Sequence, residues 1–352
     1  MKGTMKAAVM YGPNDIRYEE VAKPECPEGG FVVKVSAIGL CGSDIRNLTT
    51  DSRRGDYPFI YGHEVVGEVV EVAPGVTKYH LGQMIYVYPE AHCLKCLNCR
   101  SGHNEQCTDI EHYTNRPGGF ADYIAYSAKR VERGATFELS EGADPVYASL
   151  AEPLSSTYAC VENINVTLGD DVVILGAGPI GIFLAILCKL RGAASVTMVD
   201  INAGRLDQAA EFDVDHRINS SECDPVAEVL RVTGGLGAHK VISANPSTQA
   251  QAQAIQMARK CGTVVFFGGA PKGQLTEIDS NLIHYNGLWI YGHYGANSVQ
   301  VQRAFELSVS PTFPAAKVVS HVLPLSQINE AIELVRTGQA LKVVLRPNQE
   351  GK

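Results

Sequence analysis

The 352-residue chain has no stretch near 18 consecutive apolar residues, which excludes an ordinary membrane-spanning helix. It has no Lys/Arg block, and its formal net charge is -8. An acidic balance of this kind argues against nucleic acid or an anionic membrane surface as the main partner. The first residues, MKGTMKAAVMYG, lack the apolar core and small-residue cleavage site of a secretory signal, so the expected location is the cytoplasm. Low-complexity segments and internal repeats are also missing, which argues against a repeat architecture. Ten cysteines are too few for a disulfide scaffold at this length.

What is there divides into two characters. Up to about Leu154 the chain is strand-rich. FVVKVSAIGL (31–40), EVVGEVVEVA (64–73), QMIYVYP (83–89) and FADYIAYS (120–127) run in alternating or β-branched residues between Gly/Pro punctuation. A mostly antiparallel, barrel-like domain is expected. After Leu154, strand and helix patterns alternate. A helix is expected over about 203–211 and another over TQAQAQAIQMARKCG (248–262), with strands at HKVISAN, TVVFFGG and LWIYGHYG. That order predicts a parallel doubly wound sheet, an α/β fold. The tail returns to a helix ending at Gly338 and a strand, ALKVVLRP.

VVILGAGPIG places Gly176, Gly178 and Gly181 in a G-x-G-x-x-G turn, with Pro179 and Ile180 opening the helix that follows. The first glycine permits the turn, the second lets a pyrophosphate approach, and the third allows helix–strand packing. Asp200 ends the next strand, nineteen residues after Gly181. A carboxylate there bonds the adenosine ribose and repels a 2'-phosphate, which predicts NAD over NADP. Arg205, five residues on, is a cation that softens that discrimination.

Cys93, Cys96, Cys99 and Cys107 have the spacing C-x2-C-x2-C-x7-C. Four thiolates close a tetrahedral zinc site with no open position, so the site is structural. An iron–sulfur cluster is the competing reading. His92 and His103 flank the set and read as surface residues. A second set is dispersed. Cys41 leads the polar cluster CGSD, His63 and Glu64 lie in GHE, and Glu152 lies in AEPLS. Cysteine, histidine and carboxylate together suit a catalytic zinc that keeps a position for substrate.

These motifs, GLCGSD, GHEVVGEVVEVAPGV, the four-cysteine run, GGFADYI, AEPLS and VVILGAGPIG, occur in the order found in zinc-dependent medium-chain dehydrogenases. The chain resembles that superfamily from about Met5 to Pro347. Within it, GHE followed by AEPLS looks more like the sorbitol (L-iditol 2-dehydrogenase) and other polyol dehydrogenases. The resemblance implies a Rossmann sheet inserted in a GroES-like β-rich catalytic domain. The catalytic domain is then 1–153 with 294–352, and the NAD-binding domain 154–293. It implies two zinc ions per chain, NAD as acceptor and a homodimer or homotetramer.

By position, the resemblance makes Cys41 and His63 the zinc ligands, with Glu64 and Glu152 as carboxylates that ligate zinc or bond its water. Ser43 matches the hydroxyl that takes the alcohol proton. Lys342 resembles a basic neighbour of the cofactor. Arg46 stands where many relatives carry a relay histidine, and a guanidinium cannot act as a base. With Arg53 and Arg54, Arg46 also suits recognition of a phosphorylated substrate. The leading expectation is therefore an NAD-linked polyol dehydrogenase. Polyol-phosphate or threonine-type substrates stay open, as does a non-catalytic sensor that keeps the fold.

Overall fold

The computed structural model describes residues 3–50, 56–111 and 117–347. Arg53 and Arg54 lie outside the described residues. The chain divides into two compact units, Met1–Ser155 with Ala296–Lys352, and Ser156–Gly295.

The first unit is built from strands β1 (Thr4–Gly12), β2 (Asp15–Ala22), β3 (Phe31–Gly39), β4 (Phe59–Ile60), β5 (Glu64–Val72), β6 (Met84–Val87), β7 (Tyr123–Tyr126) and β8 (Thr136–Glu138). The second contains β9 (Asp171–Leu175), β10 (Ser195–Asp200), β11 (His216–Asn219), β12 (Ala238–Ser243), β13 (Ala258–Phe266) and β14 (Trp289–Gly292). The tail returns β15 (Val319–Pro324) and β16 (Lys342–Arg346) to the first unit.

In the first unit, β2-β1-β4 form a small sheet. A seven-stranded sheet runs β15-β16-β3-β5-β6-β8, with β7 also on β3. Its pairings are antiparallel apart from β15 with β16. Phe31, Val33 and Val35 of β3 alternate into one core with Val65, Val69, Ile85, Val343 and Leu345. The period of two separates the faces of the strand, and the other face is covered in part, with Val32 buried and Ala37 packed against Val146 and Val344. The helix Ile328–Arg336 adds Ile328, Ala331 and Ile332 to the same core.

The second unit is a six-stranded parallel sheet in the order β11-β10-β9-β12-β13-β14. That is the doubly wound order of a dinucleotide fold. One expected element differs. The helix predicted over 248–262 ends at Met257, and β13 begins at Ala258. Ala258 pairs with Ala238 of β12, and the register shifts before Lys240 meets Thr263. Cys261 takes a positive φ of 60° within that irregularity. Cross-strand pairing, invisible to a local pattern, overrides the helical run. Among the described residues no helix is long and apolar enough to cross a membrane.

Candidate active site

In the second unit, β9 delivers the chain to Gly176, whose φ of +120° is open to glycine and rare for other residues. A Cβ on Gly181 would overlap the Gly176 carbonyl oxygen, so this glycine permits the turn to close against the helix Pro179–Leu190. A Cβ on Gly178 would meet nothing within 4 Å. The open space therefore lies at the N-terminus of a twelve-residue helix, where unpaired N–H groups and the helix dipole favour an anion. The donor set and the space fit a dinucleotide pyrophosphate. Asp200 sits half-buried at the carboxyl end of β10. Its Oδ2 accepts from the Ala177 N–H at 2.7 Å and its Oδ1 from the Asn202 N–H at 2.9 Å. Arg205 is half-buried on the next helix, its own N–H donating to Asn202 Oδ1.

In the first unit, β3 and β5 pair Gly39 opposite Glu64, and β16 places Val344 on the other side of Gly39. Lys342 lies two residues before Val344, on the same face of β16. Gly39 has no side chain, and a Cβ there would overlap Glu64 Oε2 and crowd Lys342 Cε. Two charged side chains from the flanking strands therefore meet over the glycine. Lys342 Nζ lies 2.7 Å from Glu64 Oε1 and 2.6 Å from Oε2, and it also donates to the Leu40 carbonyl at 3.2 Å. The pair is buried, with side-chain exposure of 4% and 0%. Burial pulls the Lys342 pKa down, but the charge and hydrogen bond of Glu64, joined by Cys41 and Glu152, together outweigh it and hold the ammonium above its ordinary value. Lys342, read from the sequence as a cofactor neighbour, has its ammonium on Glu64.

β3 runs out at Cys41, which precedes the helix Gly42–Thr49. The Cys41 N–H donates to Asp44 Oδ2 at 3.2 Å. The other oxygen of Asp44 lies 3.1 Å from His63 Nδ1, and both side chains are fully buried. A carboxylate accepts only, so Nδ1 carries a proton and Nε2 is the ring nitrogen turned toward Glu152. Burial lowers the His63 pKa most strongly, but the charge and hydrogen bond of Asp44 together with Cys41 outweigh it, and the net shift is upward. Glu152 enters from the first turn of the helix Ala151–Asn163, its Oε1 4.0 Å from His63 Nε2. Burial pushes Glu152 up to about 7 against the pull of His63, with Glu64 adding repulsion. Ser43 Oγ donates to Cys41 Sγ at 3.3 Å. Arg46 is exposed on the same helix.

Ligand atoms of Cys41, His63, Glu64 and Glu152 lie within 4.8 Å of one another. A tetrahedral zinc with ligands at 2.0–2.3 Å sets its donors about 3.3–3.8 Å apart, so this thiol, imidazole and carboxylate set fits the ion. Asp44 is the residue that sequence reasoning missed. A metal-binding histidine needs an acceptor for its second nitrogen, and a carboxylate three residues past a candidate cysteine is the signal that points to it.

Cys93, Cys96, Cys99 and Cys107 also bring their sulfurs within 4.8 Å of one another, all as free thiols. Backbone N–H groups of Cys93, Cys96 and Cys99 donate to the sulfurs of Cys107, Cys93 and Cys96 at 3.2, 3.3 and 3.5 Å. Hydrogen bonds from the Cys99 and Thr108 backbone bring Cys96 down to about 5, while burial pushes Cys99 up to about 12. The four thiols and their N–H donors fit a closed zinc site. His103 is exposed beside Glu105, as expected. His92 is not a surface residue. It is 3% exposed, with Nε2 3.7 Å from Glu90 Oε2. The buried Arg130 guanidinium donates to the carbonyls of Tyr88, Pro89 and Glu90, which pins this segment inside the unit.

A dinucleotide sheet and a β-rich unit with two four-donor clusters define a metal-dependent, nucleotide-linked oxidoreductase. Residues 27–134 match the model of the alcohol dehydrogenase GroES-like domain, and residues 179–310 that of the zinc-binding dehydrogenases. The chain belongs to the medium-chain dehydrogenase superfamily, among its zinc-dependent dehydrogenases. The L-threonine 3-dehydrogenase of Sinorhizobium medicae (strain WSM419) is 28% identical over 351 residues, 98% of this chain and 99% of that protein. The sorbitol dehydrogenase of Bombyx mori is 28% identical over 349 residues, covering 96% and 97%. The crystal structure of a protein assigned as a zinc-binding dehydrogenase from Sinorhizobium meliloti 1021, bound to NADP, matches with a TM-score of 0.88 at 27% identity, covering 98% of this chain and 100% of that one.

Proposed function

We propose that this chain oxidises a secondary alcohol of a polyol to a ketose, using NAD. The observation that carries the catalytic-zinc reading is the division of labour between the two carboxylates, and the likeness to the sorbitol dehydrogenase supports a polyol as the alcohol. Lys342 occupies Glu64, whereas Glu152 Oε1 stands 4.0 Å from His63 Nε2. Cys41, His63 and Glu152 are then the ligands of a catalytic zinc, and Glu64 with Lys342 is a neutralised pair behind them. When bound, the zinc supplies the positive charge that makes a substrate hydroxyl acidic near neutral pH, and the nicotinamide supplies the hydride acceptor. Ser43, beside Cys41, receives the hydroxyl proton and passes it to solvent. Arg46 takes no part as a base, because a guanidinium holds its proton. Cys93, Cys96, Cys99 and Cys107 hold the structural zinc.

Asp200 supports NAD, since its half-buried carboxylate repels a 2'-phosphate. The similarity to L-threonine 3-dehydrogenases favours a second reading, in which the alcohol carries an amine on the neighbouring carbon. Arg46 supports a phosphorylated polyol by its charge alone. The apolar exposure of Trp289 and Ile290 on the open edge strand β14 supports self-association into a homo-oligomer. The unpaired cysteines support a cytoplasmic location.

The experiment is a substrate panel on zinc-analysed protein, with sorbitol, galactitol, their monophosphates and L-threonine, each with NAD and NADP. The proposal expects about two zinc ions per chain, turnover on a free polyol above that on L-threonine, and a preference for NAD. Highest kcat/KM on L-threonine moves the assignment to the second reading. A chain that binds both zinc ions yet reduces neither cofactor with any alcohol overturns the enzymatic proposal.

A further inference from the structure

The dinucleotide reading leaves one buried histidine of the second unit without a role. Leu175 of β9, Ser243 of β12, Phe266 of β13 and Gly292 of β14 form a continuous register row across the carboxyl edge of the sheet. Gly176, the first glycine of the turn, stands one residue past that row on β9. His293 stands one residue past it on β14. In a doubly wound sheet of this order the ligand lies outside the carboxyl ends of the strands. The turn after β9 takes the pyrophosphate and Asp200 takes the adenosine ribose. The remaining nucleotide half then falls to β12, β13 and β14.

His293 is only 7% exposed. Its backbone N–H donates to the Phe266 carbonyl at 3.1 Å, which ties it to the end of β13. Its ring stacks on Phe267, with centroids 4.9 Å apart and planes at 23°. Nε2 lies 3.3 Å from Ser156 Oγ, so one ring nitrogen is oriented. The other, Nδ1, is buried and has no hydrogen-bond partner among the described residues. A buried polar atom without a partner needs an explanation. Burial brings the imidazole pKa down to about 4, so the ring is neutral at physiological pH and does not repel a cationic nicotinamide.

We propose that His293 Nδ1 hydrogen-bonds the nicotinamide carboxamide and thereby fixes the orientation of the ring. A carboxamide offers an N–H donor beside a carbonyl acceptor, so it satisfies Nδ1 in either tautomer. The proposal rests on the dinucleotide reading of the glycine turn. His293 is on this view a cofactor-positioning residue, held by Phe267 and Ser156.

The test is calorimetric titration of the zinc-loaded protein with NADH and with ADP-ribose, which keeps both riboses and the pyrophosphate but lacks nicotinamide. His293→Phe preserves a flat ring against Phe267 and removes both nitrogens. The expected result is about a tenfold weaker NADH affinity, from one lost hydrogen bond, with ADP-ribose unchanged within about twofold. Ser156→Ala keeps the ring and releases its orientation, so a smaller loss confined to NADH is expected. This second variant carries the test should His293→Phe fail to fold. Equal loss for both ligands, or none for NADH, overturns the role of His293. Wild-type protein that binds neither ligand overturns the dinucleotide reading itself, and the proposal with it.

Discussion

A missing side chain at Gly39 organises the charged centre of the first unit. It lets Glu64 and Lys342 meet from opposite neighbouring strands, in a place dry enough for each to depend on the other. Removing one partner of a buried pair strands the other charge and costs about 3–5 kcal/mol. Lys342→Met in metal-free protein is expected to lose stability of that order in urea unfolding. The double variant Lys342→Met with Glu64→Gln should recover part of it. A loss below about 1 kcal/mol for the single variant contradicts the buried pairing. Asp44 acts on the neighbouring imidazole instead. Its carboxylate holds the proton on His63 Nδ1, leaving Nε2 for the metal. Asp44→Ala is expected to weaken zinc binding at Cys41/His63/Glu152 by about 10–100-fold in chelator competition. The four-cysteine zinc should be retained, and equal loss at both sites would mean general destabilisation.

At the level of elements, the strand–turn–helix unit of β9 and Pro179–Leu190 gives its glycines different tasks. Gly181 is pressed against the Gly176 carbonyl, while Gly178 faces open space. Gly181→Ala should therefore lower the melting temperature, since the Cβ forces the helix off the strand. Gly178→Ala should leave the melting temperature within a few degrees, yet sharply weaken NADH binding, because its Cβ fills the phosphate approach. The reverse pattern in thermal unfolding and titration would refute this assignment of roles. The turn was legible because strand, glycines, helix and Asp200 follow one another along the chain. The four cysteines were legible for the same reason. The end of the helix after Thr248 was not, because Ala258 answers to Ala238 on another strand.

For the whole molecule, the topology makes the two units unequal as independent folds. Ser156–Gly295 is continuous and contains its own sheet and core. Met1–Ser155 lacks β15 and β16, so β3 loses a partner, the core loses Val343 and Leu345, and Glu64 loses Lys342. Expressed separately, 156–295 is expected to unfold cooperatively and bind ADP-ribose. The fragment 1–155 is expected to lack a cooperative transition by circular dichroism. A cooperatively folded 1–155 would show that the tail is dispensable to the core.

The sequence alone determined the alternation of strands and helices, the nucleotide turn and the four-cysteine cluster, whose parts are close along the chain and constrained by local geometry. Cys41, His63, Glu64 and Glu152 stood out as a set through their resemblance to a family, since each residue by itself has an ordinary explanation. Only the tertiary structure decided that Lys342 belongs to Glu64, that Asp44 orients His63, that His92 is buried, and that His293 shares an edge with Gly176. Those relations join residues up to 278 positions apart. Strand register and burial create them, and neither is a property of a local stretch of chain.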